Sequence, residues 1–413
     1  MPIFYNIGIK FYYFLVWIVS FFNRKAKLWI DGRMNWRSKF NPNHLHKNIW
    51  FHFASLGEFE QGKPLLQAVR KRFPDKKIVI TFFSPSGYEV RKNSLLGDYI
   101  LYLPLDTAKN AQDFLNIFKP EIAVFNKYEF WNYFFKELKK QQIPLYITSA
   151  IFRKEQLFFK PYGDFYRSIL KCVTHFFVQN QTSADLLNGI GLNNFTISGD
   201  TRFDSVADLA QTRKDFPIIE NFKDNQKIFI GGSTWLEDEK LIAQYILSPP
   251  KGWKFIIAPH EISETNIKSL QHLLNNEVIR YSEINEASSI KDAKFLIIDN
   301  IGMLSSLYAY ADVAYIGGGF GAGIHNTLEA AAYGLPVIFG PRYRKFKEAI
   351  DLVSLKGGFT ISNQEELNEV LNKLISNEDF RKQSGEIAKI YVDQNIGATQ
   401  MIMDEVFGKL SGS

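Results

Sequence analysis

The sequence predicts an α/β protein built of two parallel sheets, each with helices on both faces, and three observations predict it. Short apolar segments alternate with amphipathic helical ones along most of the chain. A charged and polar stretch at about 205–226, containing Pro217, divides the alternation into two series. At 413 residues and 46% hydrophobic content, the chain exceeds the size at which one core stops growing and can fill two.

In the first series, strands are expected at 49–54 (Ile-Trp-Phe-His-Phe-Ala), 78–83, 99–103, 122–126, 144–148, 174–178 and 195–198. Helical patterns at 61–73, 109–118, 131–141 and 181–190 fall between them. The second series has strands at 227–231, 254–258, 277–281, 294–298, 312–316 and 335–339. In such sheets ligands sit beyond the carboxyl ends of strands, so loops at 54–58, 84–87, 126–131, 231–235, 258–261 and 317–325 are expected to converge. The domains expected are 26–205 and 227–390, joined by a linker at 206–226, with a C-terminal helix at 391–413 packing back on the first domain.

Ahead of these lies an apolar and aromatic segment from Ile3 to Phe22, interrupted by Asn6, Lys10 and Ser20 and followed by Arg24, Lys25, Lys27, Arg33, Arg37 and Lys39. It reads as a membrane anchor over 1–25. The Phe21-Phe22-Asn23-Arg24 junction offers no small-residue cleavage site, and the basic cluster is expected to stay cytoplasmic and to attract anionic headgroups. A span and an in-plane placement both fit about 20 residues with Lys10 at their centre. The single cysteine, Cys172, excludes an internal disulfide and suits a reducing compartment. A net charge of +6, from 49 basic against 43 acidic residues, is a mild excess, and nothing in the sequence carries a nucleic-acid-binding signature.

Residues 317–341 read as strand end, glycine-rich loop, helix and strand. Glycines let a ligand approach the backbone, and a helix expected to begin near His325 or Asn326 would aim N–H groups and a positive dipole end at a phosphate. Glu329, one turn after His325, would share its face and accept from ribose hydroxyls, which points to a nucleotide-sugar site.

Further loops carry an ordered set: Ala54-Ser55-Leu56-Gly57-Glu58, Ser84-Pro85-Ser86-Gly87, Leu103-Pro104-Leu105-Asp106, Tyr128-Glu129-Phe130-Trp131, Gly199-Asp200-Thr201-Arg202-Phe203-Asp204, Gly232-Ser233-Thr234-Trp235 and Gly323-Ile324-His325-Asn326-Thr327-Leu328-Glu329. With this set the chain resembles, over nearly its whole length, the Kdo transferases, which add 3-deoxy-D-manno-octulosonic acid to lipid A precursors. The resemblance implies a GT-B fold, two Rossmann-like doubly wound domains facing across a cleft, with CMP-Kdo as donor and lipid IVA as acceptor. It also implies work at the cytoplasmic face of the inner membrane in lipopolysaccharide biosynthesis.

An inverting transfer needs a carboxylate to take the acceptor's proton and positive groups to hold the departing phosphate. Glu58, directly after Gly57 at a strand end, is the candidate base, and the family's Ser-x-Gly-Glu motif carries its proposed catalytic glutamate here; the alternative is a helix-start acid favoured by the dipole. Glu129, flanked by Tyr128, Phe130 and Trp131, is the second catalytic candidate, with aromatic neighbours to desolvate it. Lys127 replaces an acid of the family motif and would pair with the Glu129 region or with the sugar carboxylate. For the donor, Gly232, Ser233 and Thr234 would hold phosphate or carboxylate, with ordinary capping as the competing account. Pro259, His260, Gly302, Gly323, His325, Asn326 and Glu329 occupy the other donor positions. Departures at Pro259-His260-Glu261 and Ile301-Gly302-Met303 bear on cytidine and phosphate recognition, since imidazole carries less charge than guanidinium near pH 7. Arg153, Lys154 and Lys160, interleaved with Phe152, Phe158, Phe159 and Tyr162, are candidates for the acceptor's phosphates and acyl chains or else form a solvated basic face. Arg202 joins them from the Gly-Asp-Thr-Arg-Phe-Asp motif.

No metal and no cofactor are expected. Glu237-Asp238-Glu239 reads as a helix-opening dipole contact, and no Asp-x-Asp loop or His/Cys ligand spacing occurs. Gly317, Gly319 and Ala322 match a loose dinucleotide fingerprint, but Arg342 stands where a ribose-binding acid belongs. A UDP-sugar transferase and a non-catalytic membrane-bound scaffold also fit parts of the pattern.

Overall fold

The computed structural model describes residues 2–39, 47–284 and 290–408, so Met1 of the expected anchor and 409–413 of the expected C-terminal helix lie outside the described residues. The chain forms two compact units, 1–205 with 396–413, and 206–395.

The first unit holds a seven-stranded sheet of β1 (Asn48–Phe53), β2 (Ile78–Phe82), β3 (Tyr99–Tyr102), β4 (Pro120–Asn126), β5 (Leu145–Ala150), β6 (His175–Val178) and β7 (Phe195–Ile197). Its order is β3-β2-β1-β4-β5-β6-β7 and every pair is parallel. Parallel strands are covered on both faces, which is why β1 is apolar at four of its six positions and buried throughout. Its side chains alternate between two cores. Trp50 joins Val79, Phe114, Phe125 and Phe134 in one, whereas Ile49, Phe51 and Phe53 join Val124 and Phe177 in the other. That second core also takes Ile402, Met403, Val406 and Phe407 from the C-terminal segment. Asp204 fixes the segment's start by accepting from Gly397 N and from both N and Oγ1 of Thr399 at 2.6–2.7 Å.

The second unit holds β8 (Lys227–Thr234), β9 (Trp253–Pro259), β10 (Val278–Arg280), β11 (Phe295–Ile297), β12 (Val313–Ile316), β13 (Val337–Phe339) and β14 (Gly358–Thr360), also all parallel. The order β10-β11-β9-β8-β12-β13-β14 places β11 inside β10. Each sheet has a reversal beside its first strand, between β1 and β4 and between β8 and β12. Ligands of such sheets bind beyond the strand ends at that reversal.

Several elements differ from expectation for local reasons. β14 (Gly358–Thr360) is not among the expected strands; it opens on a glycine, which interrupts the apolar run by which the others are read. The stretch at 205–226 contains helical residues of Thr201–Gln211 and a helix Pro217–Lys223, where proline occupies the first helical turn, in which its missing N–H costs nothing. β8 runs on through Thr234, so Gly232, Ser233 and Thr234 end the strand instead of following it, with a register shift between Gly232 and Thr234 and Ser233 at φ 53°. The helix expected near His325 is Leu328–Ala332, one short turn later.

At the N-terminus, helix α1 (Pro2–Ser20) contains an 18-residue window of mean hydropathy 1.4 that is long and apolar enough to cross a membrane, and none of its described side chains is fully buried. Phe4, Phe11, Phe14, Trp17 and Ile18 are exposed. One stripe is bound to the first unit: Tyr5 Oη donates to Asp106 Oδ2 at 2.5 Å, Tyr133 Oη to Asn6 Oδ1 at 2.6 Å, and Tyr12 meets Trp29 edge-on at 5.7 Å. Helix α2 (Arg24–Arg33) follows with Arg24, Lys25 and Lys27 near its start.

Candidate functional site

Beyond the carboxyl end of β1 the chain turns at once into helix α3 (Leu56–Arg72). That brings Glu58 into the first turn, and its Oε2 folds back to accept from Ala54 N at 2.6 Å. Asn126 Nδ2, at the end of β4, donates to the Glu58 carbonyl at 3.0 Å and so ties the two ends of the reversal together. Burial pushes the Glu58 carboxyl up to about 7; the Ala54 hydrogen bond opposes this, the charge of Glu129 adds to it, and Lys127 opposes it. A carboxylate with that value gains and releases a proton at neutral pH, as general-base work requires.

Glu129 lies on the loop after β4, entered through Lys127 at φ 67°. Its Oε2 accepts from Trp131 Nε1 at 3.0 Å and faces His52 Nε2 at 3.3 Å. The neighbouring aromatics therefore act on it in different ways: Trp131 is a hydrogen-bond donor, while Phe130 packs away from it on Phe158 at 5.0 Å between ring centroids. His52 is, with Asn48, one of two buried polar residues of β1, and burial first of all holds its imidazole below its ordinary value, opposed by the Glu129 contact. The sequence places His52 within an expected strand and gives it no role. Its signal there is a polar ring in a mainly apolar, fully covered strand.

Next to Glu129 opens a mainly apolar pocket of about 430 Å³. Tyr128, Phe130, Leu157, Phe158, Tyr166 and, from α1, Tyr5 contribute to its wall. Among the basic candidates, Lys127 and Arg153 both lie over the Tyr128 ring, at 5.2 and 5.9 Å. Arg202 donates from Nε to Asp200 Oδ2 at 2.8 Å, and Asp200 is in turn held by Gln61 Nε2 at 2.6 Å. Lys154 is exposed and Lys160 half-buried on the connection after β5.

In the second unit the ends of β8 and β12 are sewn together by Asp238. Its Oδ2 accepts from Trp235 N at 3.0 Å and Gly318 N at 2.9 Å, and its Oδ1 from Tyr315 Oη at 2.8 Å. Asp238 and Glu239, a dipole contact by sequence, are buried structural acids; Glu239 takes Thr234 Oγ1 at 2.9 Å, and burial raises its carboxyl to about 7. The glycine loop is folded on itself. Gly317 N donates to Gly232 O, Gly321 N and Gly323 N to Gly318 O, and His325 N to Gly317 O. Its glycines serve close packing as well, since a Cβ on Gly317 would come within 2.2 Å of Ser233 O and one on Gly319 within 2.5 Å of Gly340 Cα.

Three rings stack over this loop, Trp235 on His260 at 4.8 Å and His260 on His325 at 4.4 Å. Trp235 Nε1 donates to His325 Nε2 at 3.1 Å, which leaves Nδ1 as the protonated nitrogen of a neutral ring. Burial, reinforced by His260, presses His325 down to about 4. Asn326 Nδ2 donates to Glu329 Oε1 at 3.0 Å, so these two donor candidates meet across a loop and the start of a helix, not along one helix face. Pro259 and Thr234 line a pocket of about 250 Å³ with Glu239, Glu261 and Asn266. Gly302 sits at φ 86° in the loop after β11, and Met303, at the position of a family acid, is buried at the start of Leu304–Leu307.

Residues 30–205 match the family described as 3-Deoxy-D-manno-octulosonic-acid transferase (kdotransferase). A 3-deoxy-D-manno-octulosonic acid transferase of Rickettsia bellii is 26% identical over 366 residues, covering 86% of each chain. The Haemophilus influenzae protein of the same description is 25% identical, covering 87% of this chain and 86% of the relative. A UDP-GlcNAc 2-epimerase structure from Neisseria meningitidis superposes with a TM-score of 0.62 at 18% identity, over 87% of this chain and all of that one. That likeness is one of fold, two parallel-sheet domains of the GT-B class.

Proposed function

We propose that the chain, similar over its first unit to the 3-deoxy-D-manno-octulosonic acid (Kdo) transferase family model and over most of its length to Kdo transferases, is a glycosyltransferase that moves Kdo from CMP-Kdo to a lipid A precursor such as lipid IVA. The observation that carries this reading is Glu58, folded back at the end of β1 with its carboxyl raised to about 7. In the reaction the acceptor hydroxyl oxygen bonds to the anomeric carbon, its proton passes to Glu58, and the bond to the CMP phosphate breaks with its electron pair leaving on phosphate oxygen. Anomeric configuration inverts. Glu129 sustains the negative field that keeps Glu58 basic.

The second unit would hold the donor. His325, Asn326, Gly323, Ser233 and Thr234 face the phosphate and sugar carboxylate in this reading, and Glu329 the ribose hydroxyls. His260, in the stack with Trp235 and His325, and Pro259 border the nucleotide, and Gly302 belongs to the neighbouring loop. CMP-Kdo carries one phosphate, so its departure needs less compensating charge than a diphosphate's, and transfer is expected without a metal. On the acceptor side, Lys127, Arg153, Lys154, Lys160 and Arg202 offer charge to phosphates, and the 430 Å³ pocket beside Glu129 offers an apolar wall.

Helix α1 supports work at the inner membrane's cytoplasmic face. Its bonded stripe favours lying in the interface, with Phe4, Phe11, Phe14 and Trp17 toward lipid and the cations of α2 toward headgroups. The test is transfer by the purified full chain in detergent with EDTA, offering CMP-Kdo or a UDP-sugar. Product from CMP-Kdo alone is expected. Product only from the UDP-sugar, or only when metal is restored, would overturn the reading.

A further inference from the structure

Behind Glu129 runs a buried polar chain that the transfer chemistry above does not use. Trp50 Nε1 donates to Thr81 Oγ1 at 2.8 Å, His52 Nδ1 lies 2.8 Å from the same oxygen, and His52 Nε2 faces Glu129 Oε2 at 3.3 Å. His52 is 0% exposed and sits between β2 and the Glu129 loop.

Counting protons fixes the arrangement. Indole N–H is a donor only, so Thr81 Oγ1 accepts from Trp50 and has one proton to give. The nearer acceptor is His52 Nδ1 at 2.8 Å; the alternative, Phe51 O, is 3.4 Å away. With Nδ1 accepting, the neutral ring carries its proton on Nε2 and donates to Glu129. The same Glu129 oxygen also receives Trp131 Nε1, so its two lone pairs are both directed at donors.

We propose that His52, oriented by Thr81, is a positioning residue for transfer: its Nε2–H holds the Glu129 carboxyl group in place, and Glu129 in turn tunes the base Glu58. This rests on the reading of Glu58 and Glu129 as the acceptor-side carboxylates. The charged and titratable groups that act on this pair are Arg33 from α2, Tyr12 from α1, and Lys127 beside Glu58 on the strand-end loops.

Two variants separate positioning from packing. His52→Gln keeps an N–H at the reach of Nε2, whereas His52→Asn keeps a polar group at the reach of Nδ1 and falls short of Glu129. In the full chain in detergent, His52→Gln is expected within about 3-fold of wild-type kcat and His52→Asn about 10- to 100-fold below it, the effect of one lost charge-assisted hydrogen bond. KM for the donor should hold in both. The acid limb of kcat should move to lower pH in His52→Asn, because a Glu129 carboxylate no longer held in place ceases to hold Glu58 up. Equal losses in both variants that track melting temperature, with the limb unmoved, overturn the proposal. Nitrogen-15 spectra of the seven histidines, with His52 assigned by its absence in His52→Asn, give a readout independent of turnover. An active wild type with the proton on Nδ1 sinks the role of His52 alone. An inactive wild type with the proton on Nε2 sinks the functional reading instead.

Discussion

At the reversal of the first sheet two carboxylates stand at strand ends, backed by a buried histidine, a threonine and a tryptophan, whereas at the reversal of the second the carboxylates themselves are the backing. Glu58 and Glu129 remain partly exposed, while Asp238 is buried under the two loops it joins and Glu239 is buried against Thr234. The same residue types thus do opposite work. Where an acid lies outside a sheet end and is supported from behind, its proton equilibrium is available to a ligand; where it lies beneath two loops, its lone pairs are spent on N–H and O–H groups and it sets loop shape.

The contrast can be broken most sharply by neutralising one acid at each reversal. Glu58→Gln should lower kcat by about 10²- to 10⁴-fold, the usual range for loss of a general base, with CMP affinity measured by calorimetry unchanged. Asp238→Asn should do the reverse. It leaves a single acceptor oxygen for Trp235 N, Gly318 N and Tyr315 Oη, and should destabilise the chain by about 1–3 kcal/mol in denaturant titration while weakening CMP. If Asp238→Asn bound CMP normally and failed only in turnover, the two reversals would not differ as described.

A smaller effect separates them through pH. The Glu58 carboxyl rises from 4.5 to about 7 on folding, so its neutral form is favoured in the folded state. That contribution is fully present below 4.5, is lost as pH rises from 4.5 to 7, and is level above. Glu58→Gln should therefore gain stability relative to wild type as pH is raised from about 4 to about 8, as read by melting temperature. A constant difference over that interval would place Glu58 in a solvated setting.

Much of this is legible in the sequence, for physical reasons that differ by region. The alternation of buried strands with helices points to two parallel sheets, and Glu58 follows a glycine directly after a strand, so its place at the first reversal can be read in advance. The fold stands as expected, and the chain is similar to the family its motifs resemble. His52 cannot be assigned from spacing, because its role depends on register: β1 pairs His52 with Thr81 on β2, and no local pattern encodes a partner 29 residues away. The helix after His325 starts later than expected because a glycine-rich segment that bonds to itself looks, in sequence, like a helix entry. Asp238 reads as a dipole contact in sequence because its partners, Gly318 and Tyr315, arrive from about eighty residues further on.

The most direct test of the central claim, that Glu58 is the base for Kdo transfer, is the pH dependence of kcat/KM for CMP-Kdo transfer between about pH 5 and 9, wild type against Glu58→Gln. The account predicts a wild-type rate that falls tenfold per unit of pH below about 7 and a low, flat profile in the variant. An acid limb that persists near the same pH in Glu58→Gln would contradict it and assign the proton to another group.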